Sequence, residues 1–251
     1  MNSQKAGSRP GPGSAMKATA LLLALAAGFG TQQVFAAGTA GMTVPAASHR
    51  LAQADFGHES PSRDARRMAD WIVESGDGGG MPFVIVDKVN ATVFVFHTDG
   101  RLKGASPALL GLAQGDDSVP GIGNRKLSSI LPGERTTPAG RYVAARGRNI
   151  QGGNIIWIDY ENALSLHPVV TSNAKERRAQ RLASASPLDN RISYGCINVP
   201  ATFFEEVIRP VFQHSSGVVY VLPETRALET VFAALQAKVR PAGNATRAGS
   251  D

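Results

Sequence analysis

From residue 82 onward the apolar residues come in short unbroken runs and not at helical spacing. Phe83 to Val86 and Ala91 to His97 are rich in Val, Ile and Phe, and Thr98-Asp99-Gly100 is a turn signal between the second run and the next. Arg141 to Ala145, Asn154 to Tyr160, Ala163 to His167 and Gly217 to Leu222 add further strands. Helical spacing occurs in three places. Ser60 is placed to cap a helix, with Pro61 in its first turn and Met68, Trp71 and Ile72 on one face. Thr202 to Phe212 puts Phe204, Val207, Ile208 and Val211 on one side, and Arg226 to Lys238 forms the last helix. No internal repeat is evident. The pattern predicts a mainly β domain with a few helices, built as a sandwich or a barrel-like sheet pair.

The N-terminal pattern differs. Lys5, Arg9 and Lys17 precede an apolar run from Ala18 to Gly30, and Val34-Phe35-Ala36 offers small residues for cleavage before Ala37. Residues 1–36 therefore read as a secretory signal, with Met16 as a possible alternative start. No cysteine follows the run, which argues against a lipid anchor, and the run is short for a membrane span. An uncleaved anchor is the competing reading. Residues 37–60 are Ala/Gly/Ser-rich and read as a loose leader. Together with the helix and the Ser75-Gly-Asp-Gly-Gly-Gly80 break they form an extension over 37–80. The main domain is expected over 81–224. Residues 225–251 are expected to hold the last helix and a disordered tail from Arg240.

Charge changes the picture little. The net charge of +6 includes three basic and no acidic residues within 1–36, so cleavage would leave +3 on about 215 residues. The basic balance thus overstates the case for a polyanion, and no nucleic-acid motif is present. One cysteine and scattered histidines make a metal site improbable, and Gly121-Ile122-Gly123 reads as a turn and not as a nucleotide loop, so no cofactor is expected. The mature chain is expected to carry no integral membrane span.

The single cysteine carries the candidate chemistry. An exported chain with one thiol has no internal disulfide to make, so Cys196 is either a small buried hydrophobe or a reactive group. Its flanks favour chemistry: Gly195 permits a sharp turn, and Ser193, Tyr194 and Asn198 crowd polar groups around the sulfur. An isolated thiol titrates near ~8.5, so a nucleophile needs a base. Of the five histidines, His49 and His58 lie in the leader, His97 beside a turn and His214 in a polar loop. His167 alone ends an apolar strand upstream of the cysteine segment.

Ser193-Tyr194-Gly195-Cys196-Ile197-Asn198, with His167 upstream, resembles the signature of the L,D-transpeptidase catalytic-domain (YkuD-like) family. That signature is a histidine followed at a distance by Ser/Thr-His-Gly-Cys-apolar-Asn or Arg. Phe83 to Phe96 looks like the family's opening hairpin, Thr136-Thr-Pro-Ala-Gly-Arg-Tyr142 like the segment before the site, and Gly217 to Pro223 like its closing strand. The resemblance covers about residues 81–224. Two departures mark a divergent branch. Tyr194 stands where the family has a second histidine, and His167 and Cys196 are 29 positions apart because of an insertion from Thr171 to Leu188.

The resemblance implies an L,D-transpeptidase-like fold and an exported enzyme of the cell envelope. Cys196 would attack a peptidoglycan tetrapeptide stem after the L-centre of its third residue. The terminal D-alanine leaves, and a second stem's amine resolves the thioester into a cross-link between third-position residues. Resolution by water would make it an L,D-carboxypeptidase, and a catalytically silent wall-binding module is the other alternative. His167 is the implied base, its ring oriented by the carbonyl of Pro168. The N–H groups of Gly195 and Cys196 are the expected oxyanion donors. Tyr194 either donates its hydroxyl there or packs, and Ser193 stabilises the turn. Asn198 fixes the loop or contacts substrate. Lys175, Arg177, Arg178, Arg181 and Arg191 either bind stem carboxylates or form a solvated face. The expected partners are stem peptides, with no nucleic acid.

Overall fold

A computed structural model describes residues 53–238 of the 251-residue chain. The expected signal, most of the loose leader and the tail from Arg240 lie outside the described residues. Ten strands and five short or medium α-helices follow in order, so the described chain is mainly β with a few helices.

Eight strands form one sheet in the order β3-β2-β1-β10-β5-β6-β7-β9. They are β1 (Phe83–Asp87), β2 (Thr92–Phe96), β3 (Leu102–Pro107), β5 (Gly140–Arg148), β6 (Asn154–Asp159), β7 (Leu164–Pro168), β9 (Ile197–Val199) and β10 (Gly217–Val221). A two-stranded parallel ribbon joins β4 (Leu110–Gly111) to β8 (Arg191–Ser193). The chain leaving β3 at one edge runs on to Leu109, which exchanges both backbone hydrogen bonds with Asn198 on the opposite edge, at 2.8 and 2.9 Å. The sheet is therefore curled until its edges meet, a barrel-like closure with no long open edge left at that seam.

The unbroken apolar runs have a simple cause: both sides of β1, β2 and β10 are covered. Val84, Val86, Val93, Val95, Val219 and Val221 enter one core, while Phe83, Ile85, Phe94, Phe96, Val218 and Tyr220 enter a second. The first core is capped by the helical segment α3 (Ala201–Phe203), a π-helical stretch Phe204–Ile208 and α4 (Arg209–Val211), which buries Phe204, Ile208 and Phe212. Pro210 offers no N–H to the carbonyl four residues back, which is a reason for the regular helix to widen just before it.

The second core is capped by α1 (Arg63–Ser75), which buries Ala65, Met68, Ala69 and Ile72 on the i, i+3, i+4, i+7 face. Its cap is Ser62, whose hydroxyl accepts from the Ala65 N–H at 3.1 Å, and not Ser60 as the sequence suggested. Ser62 wins because it stands three residues before a free N–H, leaving Pro61 outside the helix. The end of the expected loose leader is also packed. Phe56 sits edge-on to Phe94 and Phe96 at 5.3 and 5.0 Å, and Asp55 bridges to Arg101. The last helix is shorter than its apolar spacing predicts: α5 (Leu228–Val231) gives way to a 3-10 turn, and Leu228, Phe232 and Leu235 finish this core.

One polar cluster lies inside the molecule. Lys88, at the end of β1, is 0% exposed and directs its ammonium to Asp116 at 2.8 Å and to the carbonyls of Gly115 and Thr137 at 2.6 and 2.8 Å. Those three acceptors match its three donors. Glu224 lies 3.5 Å from the same nitrogen and is also paired with Arg191. Burial works against ionisation of Asp116. Hydrogen bonds from Lys88, the Thr225 hydroxyl and the Glu224 N–H nonetheless hold its carboxyl well below the usual range.

Removing one member of such a cluster leaves an uncompensated charge, so Lys88→Met is expected to lower unfolding stability by about 3–5 kcal/mol. A denaturant titration checks this: the midpoint falls while the slope is unchanged. An unmoved midpoint would refute it.

Candidate active site

Strand alternation builds the site. In β7, Leu164 and Leu166 point into the first core, which turns Ser165 and His167 to the other side. In β9, Ile197 and Val199 point into the same core, which turns Asn198, and Cys196 just before it, to that side too. The two strands pair in parallel with His167 beside Asn198. Two core-anchored strands in this register bring imidazole, carboxamide and thiol together.

Asn198 Nδ2 lies 3.1 Å from His167 Nε2 and donates to the Cys196 carbonyl at 3.3 Å. His167 Nδ1 lies 2.8 Å from the Pro168 carbonyl. A carbonyl can only accept, so Nδ1 carries the proton and Nε2 presents its lone pair in the neutral ring. The Cys196 sulfur, half-buried, lies 3.5 Å from Ser165 Oγ and 3.4 Å from the Ala163 carbonyl. Burial pushes the Cys196 thiol up, but the neighbouring His167 imidazole, with Ser165 adding to it, holds it below its ordinary value. Burial likewise disfavours the imidazolium. The neighbouring Cys196, and then the Pro168 carbonyl, raise His167 above its ordinary value nonetheless. The two shifts run in the directions that ease transfer of the thiol proton to the imidazole.

The turn carrying the sulfur is held from below. Gly195 has φ of +129°, and a Cβ there would meet the Thr136 carbonyl oxygen at 2.7 Å, so no other residue fits. Thr137 Oγ1 donates to the Gly195 carbonyl at 2.7 Å and accepts the Gly111 N–H at 2.9 Å. Ser193 Oγ donates to the Cys196 carbonyl at 2.6 Å and accepts the Gly195 N–H at 3.1 Å. Ser193 thus sits in the turn, as its residue type suggests. The Gly195 N–H, expected to face an oxyanion, is already committed to Ser193.

An open cleft of about 400 Å³ lies above the sulfur, with His167, Cys196, Asn198, Tyr194, Arg178 and Glu176 among its walls. Tyr194 lies with its ring face 4.0 Å from the Arg135 guanidinium, a cation–π contact that fixes the ring at the cleft wall. The insertion contains α2 (Arg178–Leu182) and forms one side of the cleft. Lys175 and Arg177 are exposed, but Arg178 turns inward, with Glu176 as ion partner and Nη1 donating to Asn198 Oδ1 at 2.7 Å.

Two residues expected at a substrate site are elsewhere. Arg191 is 8% exposed and binds Glu224 and the Lys88 carbonyl, so it belongs to the buried cluster. A strand position facing that cluster, next to the buried Glu224 carboxylate, draws the guanidinium inward. Arg181 donates to the carbonyls of Glu176 and Asp189 and lines a separate cavity with Arg177 and Gln180. Ser165, Thr137 and the Arg178–Asn198 bond had no assigned part in the sequence reading. The i, i+2 relation to His167 was a usable signal for Ser165. Among the described residues no group of acidic, histidine and cysteine side chains could hold a metal, and no helix is long and apolar enough to cross a membrane.

The thiol shift gives a pH test. Alkylation by iodoacetamide follows the thiolate, so Cys196 in the folded protein is expected to reach half-maximal rate at lower pH than in the urea-unfolded chain. His167→Gln is expected to move that midpoint upward, and equal midpoints in all three samples would contradict the assignment.

No protein-family model and no curated protein matches the chain. Solved structures with a similar fold include the helical cell shape determining protein Pgp2 from Campylobacter jejuni, at 18% identity and TM-score 0.41 over 64% of this chain and 57% of that one. The chain thus spans little more than half the length of that structure. The catalytic domain of the E. faecium L,D-transpeptidase is similar at 18% identity and TM-score 0.33, covering 57% of this chain and 98% of that one. The L,D-transpeptidase LdtMt1 in complex with imipenem is similar at 15% identity and TM-score 0.32, covering 56% and 58%. These are distant likenesses of fold, and the assignment of chemistry rests on the residues themselves.

Proposed function

We propose that this chain is an exported cysteine transpeptidase of the cell envelope, acting on peptidoglycan tetrapeptide stems through a thioester on Cys196. The observation that carries the reading is that one thiol and one imidazole line the same cleft, the far nitrogen of the ring being tied to the Pro168 carbonyl. It is joined by the Ser-Tyr-Gly-Cys-Ile-Asn sequence around the sulfur.

In this mechanism His167 Nε2 takes the thiol proton and the electron pair stays on sulfur. The thiolate attacks the carbonyl carbon of the third stem residue. With the Gly195 N–H bonded to Ser193, the oxyanion falls to the Cys196 N–H, and Tyr194 is the second candidate donor from the cleft wall. The imidazolium returns its proton to the departing amine of D-alanine as the thioester forms. A second stem's side-chain amine then attacks the thioester, loses a proton to His167 and leaves the cross-linked product with the thiol restored. Water in place of that amine gives the L,D-carboxypeptidase outcome, which needs no change in residues.

A silent wall-binding module would keep the fold without the nucleophile. Incubation with a tetrapeptide donor or a carbapenem, followed by mass spectrometry, separates the readings. A covalent adduct on Cys196 is expected, absent in Cys196→Ala. Wall binding with no adduct at any pH at which the thiol alkylates would sink the enzymatic reading.

A further inference from the structure

The Asn198 carboxamide has two ends, and the structure decides which one faces the base. Arg178 has donors only, so the bond from its Nη1 fixes Oδ1 on its own side and turns Nδ2 toward the Cys196 carbonyl and His167 Nε2. An N–H donor facing Nε2 bonds only a nitrogen that carries a lone pair. Turned over, the same amide would offer Oδ1, an acceptor that bonds the protonated ring instead. The backbone register places Asn198 beside His167 but leaves that choice open. The Cys196 carbonyl favours Nδ2 on the inner side, and Arg178, from outside the strand pair, locks that choice with the shorter bond to Oδ1. The guanidinium is itself steadied by Glu176, and its stem is folded into the cleft wall.

Building on the reading of His167 as the base, we infer that Arg178 is a positioning residue. It orients the Asn198 amide so that His167 rests as the neutral imidazole, its Nε2 lone pair held by the Asn198 N–H until the thiol proton is transferred. The proton step follows directly. The S–H bond breaks, Nε2–H forms, the electron pair remains on sulfur, and the Asn198 N–H gives up Nε2 to its remaining partner, the Cys196 carbonyl. The Arg178 charge acts in the same sense, opposing the imidazolium across the cleft. The ionisable groups around the ring are Cys196 from the β8–β9 turn, Arg178 from α2, Glu176 behind it and the Tyr194 phenol in the same cleft. The insertion that lengthens the His–Cys spacing therefore has a use: it delivers the cation that sets the base.

The test is the titration of His167, followed by NMR of the imidazole carbon in the full-length protein and assigned with His167→Gln. Arg178→Ala is expected to raise the midpoint by about one pH unit, the equivalent of one hydrogen bond of ordinary strength. Arg178→Met keeps the side-chain stem and replaces the alanine variant if the latter does not fold, as judged from the amide spectrum. The decisive arm repeats the change in an Asn198→Ala background, where removing Arg178 is expected to shift the midpoint much less. A midpoint that does not rise overturns the inference. So does a shift of equal size in both backgrounds, which would mean that the cation acts by charge alone. Neither readout uses peptidoglycan. Failure of acyl transfer with the expected titration would therefore sink the substrate reading and leave the role of Arg178 standing.

Discussion

The position of the candidate nucleophile depends on a buried ammonium that never meets solvent. Lys88 donates to the Thr137 carbonyl, and Thr137, through its hydroxyl, holds both the Gly195 carbonyl and the Gly111 N–H. Three segments distant in sequence are tied at one point: the end of β1, the stretch before β5 and the turn bearing Cys196. A buried ion cluster is not by itself an argument for stability. Here it has a geometric role, because every donor of Lys88 has one acceptor and the acceptors sit on two separate loop segments, Gly115-Asp116 and Thr137. Arg191 extends the cluster from β8 to the carbonyl of Lys88 itself, so the strand leading into the cysteine turn is fixed at its first residue.

Above that base, the chemistry lies on the outward side of strands whose inward side is core. The same alternation that buries Leu164, Leu166, Ile197 and Val199 presents Ser165, His167 and Asn198 together. Packing thus does the positioning for hydrogen bonds that are individually modest. The loop elements add what strands cannot: Gly195 gives the turn, Ser193 and Thr137 close it, and the insertion supplies Arg178. The result is a thiol and an imidazole whose shifts run toward each other.

How far the sequence disclosed this depends on what each signal measures. Apolar runs are visible as composition, so β1, β2, β6, β7 and β10 were legible. Strands of two or three residues such as β4, β8 and β9 are defined by their partners and leave no run to read. The α1 cap was misplaced by two residues because Ser60 and Ser62 are equally good capping types, and only the Ala65 N–H distinguishes them. His167 and Cys196 were legible through the signature. The partners of Arg191 and Arg181 were not legible, because a charge in a basic stretch says nothing about which carbonyl or carboxylate will claim it. The Arg178–Asn198 bond spans 20 positions and no local pattern encodes it.

The paired bonds between Leu109 and Asn198 stitch together the two edges of the curled sheet, and one of the stitched residues also touches the imidazole. The reactivity proposed for the sulfur and the barrel's seam therefore share a residue, and a parting of those edges would carry the Asn198 amide away from the imidazole. The molecule has in effect made its candidate nucleophile a gauge of whether the cylinder is shut.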